Sequence, residues 1–154
     1  SSSINGFALN NKTVKTTYTD YGLTIGENGR VYEDFSLDTE FTVSRIAETN
    51  GYAGFLIHAA TAEYPENSGY LVYFKDGIIG ISKNGSVIKE VNNTNIATVK
   101  KLAVNITVKG KIITVTMDGN VLLEQEVDGP TAGAVEFIST YAMASISKFD
   151  ITAK

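Results

Sequence analysis

The chain of 154 residues contains no cysteine and only one histidine, His58. Without cysteine it can form no disulfide, use no thiolate nucleophile and build no cysteine-type zinc site. A single histidine also argues against a transition-metal cage. A chain of this length buries roughly 70% of the surface that its unfolded form exposes, so a single hydrophobic core explains its stability without such devices.

Charge clusters and long apolar runs are missing as well. Thirteen basic and seventeen acidic residues give a formal net charge of −4, and the lysines are scattered. This argues against a nucleic-acid or anionic-membrane surface. No apolar run approaches the ~18 residues of a membrane span, and the first residues lack the regions of a signal peptide. We expect one domain over residues 1–154, with residues 1–5 as a linker or a trimmed edge.

Residues that favour turns and strands are abundant instead. There are fourteen glycines but only two prolines, together with many threonine, valine, isoleucine, tyrosine and phenylalanine residues. Pairs that form tight turns recur at strand-length intervals: Asn28-Gly29, Asn50-Gly51, Asp76-Gly77, Asn84-Gly85, Lys109-Gly110, Asp118-Gly119 and Asp128-Gly129. This spacing predicts the short strands of a sandwich or barrel rather than βαβ units.

Alternation with a period of two residues identifies individual strands. Apolar and polar residues alternate in segments 35–43 and 102–108, and segments 69–91 and 102–127 each predict a three-stranded meander. An all-β fold of two antiparallel sheets packed face to face is the economical architecture. Six phenylalanines follow the apolar rhythm and are predicted to lie in the core: Phe35, Phe41, Phe55, Phe74, Phe137 and Phe149.

Motifs of nucleophilic triads, zinc hydrolases, phosphate loops and EF-hands are absent. One pair of catalytic type remains, Asp38 and Glu40, which share the polar face of a strand roughly 7 Å apart at the backbone. Glycosidase carboxyls stand ~5–9.5 Å apart, so this spacing is admissible. However, nothing near them in sequence would raise the pKa of one selectively, which favours two solvated acids on a wet face.

Three further residues are candidate ligand contacts. Tyr141 ends a strand among small residues, which would leave its ring accessible, whereas Tyr73 lies within a strand and is less distinctive. His58 interrupts an apolar strand. Alternation places His58 on the face of Leu56, away from the face of Phe55.

Several longer stretches resemble a known family. They are EDFSLDTEFTV, GYAGFLIHAA, GYLVYF, VKGKIITVTMDGNVLLEQE and GAVEFISTYAMASISKFDI. Together they resemble the concanavalin A-like, LamG-like sandwich modules of secreted bacterial glycoside hydrolases, and nearest in pattern the fructan-binding module of levanases. The resemblance covers about residues 17–152 and implies a jelly-roll, concanavalin A-like sandwich.

The resemblance also implies a sugar pocket at Asp38, Glu40, His58 and Tyr141, with arginine usual at the position of His58 and tryptophan at that of Tyr141. In such a pocket an aromatic ring stacks on the sugar, acids accept hydroxyl protons and the histidine donates or accepts one. Histidine cannot reproduce the bidentate fork of arginine, so levan specificity is not carried over.

The first functional hypothesis is a non-catalytic carbohydrate-binding module of a larger secreted or cell-surface protein. Its predicted partners are an oligo- or polysaccharide, including a terminal sugar, and neighbouring domains. We predict a monomer with neither a nucleic-acid nor a membrane partner. No cofactor is predicted, and a structural calcium ion remains open without a supporting motif.

Two alternatives remain. The missing arginine and the absence of tryptophan favour a structural or adhesin-type sandwich with a degenerate sugar pocket. The other alternative is a LamG-like glycoside hydrolase that uses Asp38 and Glu40.

Overall fold

The computed structural model describes residues 30–154 and, as backbone only, the two short strands at 14–15 and 24–26. This part of the chain contains twelve strands and no helix: β1 (Val14–Lys15), β2 (Thr24–Gly26), β3 (Phe35–Ile46), β4 (Tyr52–Ala59), β5 (Tyr70–Lys75), β6 (Ile78–Lys83), β7 (Ser86–Asn92), β8 (Lys101–Lys109), β9 (Ile112–Met117), β10 (Asn120–Glu126), β11 (Ala134–Thr140) and β12 (Ala142–Ala153). A helix long and apolar enough to cross a membrane is not found among these residues. The predicted linker at 1–5 and the turn at 28–29 lie outside the described residues.

Two antiparallel sheets form a sandwich, as predicted. The first sheet has the order β1-β12-β3-β8-β9-β10, and the second has the order β2-β11-β4-β5-β6-β7. Both predicted meanders are confirmed, because β5 to β7 and β8 to β10 each pair in sequence. In the Asn84-Gly85 turn both residues have positive φ (51° and 78°), as a two-residue type I′ hairpin requires.

The core lies between the two sheets. All six phenylalanines predicted for it are at most 2% exposed. Four of them form one aromatic cluster across the sheets, with ring centroids 4.9 to 6.2 Å apart: Phe41, Phe55, Phe74 and Phe137. Because this cluster fills the space between the inner faces, only the two outer faces and the sheet ends are accessible to a ligand.

A single residue, Tyr141, connects β11 of the second sheet to β12 of the first sheet. Its backbone adopts φ +47°, the left-handed conformation that such a sharp turn needs. Its carbonyl oxygen accepts a hydrogen bond from the amide of Ala47 (2.9 Å), and a side chain at Gly51 would collide with that oxygen. Tyr141 therefore has a structural task in the backbone.

Candidate functional site

A groove of about 580 Å³ lies on the outer face of the second sheet. The alternation of β5 points Leu71, Tyr73 and Lys75 outward, and Tyr52 and Leu56 of β4 join them in lining the groove. Strand register explains this grouping, because β4 pairs with β5. Residues far apart in sequence thus form one continuous outer surface.

The ring of Tyr73 forms the floor of the groove. Tyr73 pairs with Gly80 on β6, which in turn pairs with Glu90 on β7. The ring extends across Gly80, where any Cβ would collide with it, and its hydroxyl donates a hydrogen bond of 2.5 Å to Oε2 of Glu90. Burial, followed by this hydrogen bond, raises the pKa of Tyr73, so the hydroxyl stays protonated. The floor is therefore fixed in position.

A second ring, that of Tyr52, stands beside the floor. The ring centroids of Tyr52 and Tyr73 are 6.3 Å apart with planes inclined by 58°. Tyr73 is only 4% exposed, whereas Tyr52 is partly exposed and can present its ring to a ligand. The ammonium group of Lys75 lies 5.4 Å from the Tyr73 ring centroid, within cation–π range.

The groove combines apolar and polar surfaces. Leu56 and Leu71 are partly exposed in it, and Asn50, Thr140 and Glu90 add amide, hydroxyl and carboxylate groups. A few convergent polar groups around an apolar and aromatic surface are typical of ligand sites. Such a surface can stack one face of a sugar ring and hydrogen-bond its hydroxyls.

Of the five residues predicted from sequence, Tyr73 alone lines this groove. The sequence reasoning missed Tyr52, Lys75 and Glu90. Alternation within "GYLVYFK" puts Lys75 on the face of Tyr73. Placing Tyr52 and Glu90 beside them required the pairing of β4 and β7 within the second sheet, which alternation alone does not give.

Asp38 and Glu40 lie on the other side of the molecule, on the outer face of the first sheet. They border a shallow depression of about 240 Å³ together with Asn105 and Lys148. The Asn105 amide donates a hydrogen bond to Oδ1 of Asp38 (2.7 Å), and Lys101 forms an ion pair with Glu40 (2.7 Å). Both carboxylates thus have partners within their own sheet.

The hydrogen bond and charge of Lys101 lower the pKa of Glu40, against a smaller opposing effect of burial, and Lys148 lowers it further. Glu40 is therefore ionised at neutral pH and does not hold the proton that a general acid donates. This geometry gives no support to a division of Asp38 and Glu40 into acid and base.

His58 is buried, and the prediction that it faces away from the core is wrong. It is 1% exposed, and its ring packs edge-on against Phe35 (centroids 5.9 Å apart). Nε2 donates a hydrogen bond to the carbonyl oxygen of Glu33 (2.8 Å), and Nδ1 lies 3.3 Å from the carbonyl oxygen of Pro130. The ring thus joins two loop segments to β4.

A β-bulge explains the misplaced histidine. Between β4 and β11 the register shifts, so that Val135 alone faces the two residues Ile57 and His58. The extra residue breaks the alternation, and His58 has φ +54°. Its side chain consequently turns inward rather than following Leu56 to the outer face.

The predicted residues do not form one pocket. His58 is near one end of β4, whereas Tyr141 follows Thr140, which pairs with Tyr52 at the other end, about 20 Å away along the strand. Asp38 and Glu40 lie on β3 of the first sheet. The sugar pocket implied by the resemblance is therefore not assembled here.

No three histidine, aspartate or glutamate side chains within the described ranges are grouped so as to hold a metal ion.

Comparison with known proteins relates the fold to solved structures. No family model and no protein of curated function matches the sequence. The carbohydrate-binding module CBM66 from Bacillus subtilis matches with a TM-score of 0.73 at 18% identity, covering 94% of this chain and 93% of that one. The β-glucanase of Bacillus licheniformis matches with a TM-score of 0.63 at 12% identity, over 92% of this chain and 78% of the enzyme. Sheep galectin-11, in complex with glycerol, matches with a TM-score of 0.56 at 10% identity, over 88% and 99%.

These matches confirm the jelly-roll, concanavalin A-like sandwich. At such low identities they show a common fold, and this fold is found in both binding modules and enzymes. The fold alone therefore does not decide between binding and catalysis, and the residues of the groove carry that information.

Proposed function

We propose that this chain is a non-catalytic carbohydrate-binding module and that its ligand lies in the groove of the second sheet. The observation that carries the proposal is the pair of tyrosine rings, Tyr52 and Tyr73, at the centre of an open groove with a polar rim. The Tyr52 ring stacks on the apolar face of a sugar, and Leu56 and Leu71 extend the apolar surface.

The remaining groups orient the sugar. Tyr73 supports the Tyr52 platform and holds one oxygen of Glu90, which leaves the other oxygen of that carboxylate as an acceptor for a hydroxyl proton. Lys75 donates to a hydroxyl or ring oxygen. Because the groove is open and its polar contacts are few, we expect modest affinity.

The non-catalytic role and the biological context are part of the proposal. The Lys101–Glu40 ion pair on the first sheet argues against catalysis by Asp38 and Glu40. A module of this kind would serve a larger secreted or cell-surface glycan-active protein, as a monomer next to neighbouring domains and without a cofactor. The resemblance to fructan-binding modules supports a sugar ligand but does not supply its contacts.

Glycan binding by the native domain and by Tyr52→Ala tests the proposal. Removing the exposed ring should weaken binding by about 2 kcal/mol, or roughly thirtyfold, as is typical of a central aromatic contact. Tyr64→Ala is the matched control, since Tyr64 is also partly exposed but lies outside the groove. A glycan array followed by calorimetry on the best ligand measures both affinities.

If no glycan binds, or if Tyr52→Ala binds as well as the native domain, the proposal fails. Equal loss in Tyr64→Ala would point to general misfolding, which circular dichroism of each variant checks. Release of reducing sugar from any bound glycan, abolished by Asp38→Asn and by Glu40→Gln, would establish an enzyme instead.

A further inference from the structure

The charged residues that line the groove differ in sign from the molecule as a whole. The chain carries a formal net charge of −4, yet the groove is lined by two lysines, Lys75 and Lys83, and one carboxylate, Glu90. A local reversal of sign attracts ligands of the opposite charge, whatever the net charge of the chain. This contrast raises the question of which glycans the groove prefers.

Neither lysine forms an ion pair with a carboxylate of the residues that the structure describes. Other lysines of these residues do form such pairs, Lys101 with Glu40 and Lys111 with Asp128. Lys75 instead lies over the Tyr73 ring, and the ammonium group of Lys83 lies 5.7 Å from the centroid of the Tyr70 ring. Aromatic faces hold these cations in place without cancelling their charge.

Glu90, the one carboxylate among the described residues that line the groove, is bonded to the groove floor. Oε2 of Glu90 accepts the hydrogen bond of the Tyr73 hydroxyl. Glu136 of β11 pairs with Leu56 of β4 and does not line the groove. Burial raises the pKa of Glu136, which makes its charged form less favourable.

The two lysines stand well apart along the groove. Lys75 ends β5, and Lys83 follows Ser82, which pairs with Leu71 near the start of β5. Their backbones are therefore roughly 15 Å apart along the strand direction. This separation exceeds one sugar ring, so a ligand that meets both lysines must be a stretch of several units with acidic groups.

We infer that the groove binds an internal stretch of a linear acidic polysaccharide whose uronate carboxylates meet Lys75 and Lys83. Tyr52 stacks on a ring between these contacts, and each lysine forms a charge-assisted hydrogen bond with a carboxylate. This inference rests on the proposed function and specifies its ligand class. The ligand would then be an internal, negatively charged stretch of a polysaccharide and not a single terminal sugar.

Matched polymers test the inference. Polygalacturonate, polyglucuronate and polymannuronate are each titrated into the native domain beside the same polymer after reduction of its carboxyl groups to alcohols. The native domain should bind at least one acidic polymer about tenfold or more tightly than its reduced form. Raising the salt concentration from about 50 to about 500 mM should weaken binding of the acidic polymer but not of its reduced form.

The variant pair Lys75→Ala/Lys83→Ala assigns the effect to the groove. It should abolish the preference, because affinity for the acidic polymer falls about tenfold more than affinity for the reduced polymer. Lys100→Ala/Lys109→Ala removes the same charge from exposed positions outside the groove and should keep the preference.

Failures of the two proposals are distinguishable. Binding of neutral glycans that depends on Tyr52, with no preference for any acidic polymer, overturns the acidic class but leaves the carbohydrate-binding function intact. Equal loss of preference in both lysine pairs overturns the groove assignment. Absence of binding to every acidic and neutral polymer overturns both proposals.

Discussion

One ring contact and two backbone carbonyl contacts hold the His58 side chain in place. Its ring is buried against Phe35, and its nitrogens face the carbonyl oxygens of Glu33 and Pro130. These contacts fasten the loop before β3 and the loop before β11 to the end of β4. A residue engaged in this way stabilises the fold and has no surface to offer a ligand.

His58→Ala should therefore lower the free energy of unfolding by about 2–4 kcal/mol, because it empties a packed site and leaves two buried carbonyls without the imidazole. Glycan affinity of the folded protein should stay unchanged. Urea unfolding followed by intrinsic fluorescence gives the stability, and calorimetry gives the affinity.

Ser139→Ala is the matched contrast, since the Ser139 hydroxyl is buried and has no hydrogen-bond partner among the described residues. Its removal should leave the free energy of unfolding unchanged or raise it by about 1 kcal/mol. An unchanged stability in His58→Ala, or a loss of glycan affinity with stability preserved, would contradict the structural role of His58.

At the scale of the strands, the shape of the groove depends on Gly80 as well as on Tyr73. The row Tyr73–Gly80–Glu90 crosses three strands, and the absent side chain at position 80 makes the space in which the Tyr73 ring lies. A side chain there would lift the ring into the groove or displace it from Glu90.

Gly80→Ala should therefore weaken glycan binding about tenfold and lower the free energy of unfolding by about 1–3 kcal/mol through overpacking. Gly119→Ala is the control, because Gly119 has positive φ with open space around it and lies in the turn between β9 and β10 of the first sheet. It should cost about 1 kcal/mol of stability and no affinity. Native affinity in Gly80→Ala would show that the position of Tyr73 does not shape the site.

Strand patterns explain what the sequence could and could not predict. Period-two alternation and turn pairs identified the meanders and the phenylalanine core, since both depend on residues close in sequence. The bulge at His58 and the switch between sheets at Tyr141 break that alternation at single residues. Their backbone conformations depend on contacts with distant strands, so local patterns could not reveal them.

At the scale of the whole molecule, the two outer faces have different characters. The first sheet joins its polar side chains to one another, as in the Asn105–Asp38 hydrogen bond and the Lys101–Glu40 ion pair. The second sheet has a groove with a partly exposed ring and two lysines without a carboxylate ion pair in the described chain. Polar groups that are not engaged within the protein are the ones available to a ligand.

The most direct test is a titration of the ¹⁵N-labelled domain with the tightest-binding glycan, followed by amide chemical shifts. If the ligand lies in the groove, the largest shifts occur on the second sheet, around Tyr52, Tyr73, Lys75 and Glu90, with little change elsewhere. Largest shifts around Asp38, Glu40 and Asn105 on the first sheet, or around His58, would contradict binding in the groove.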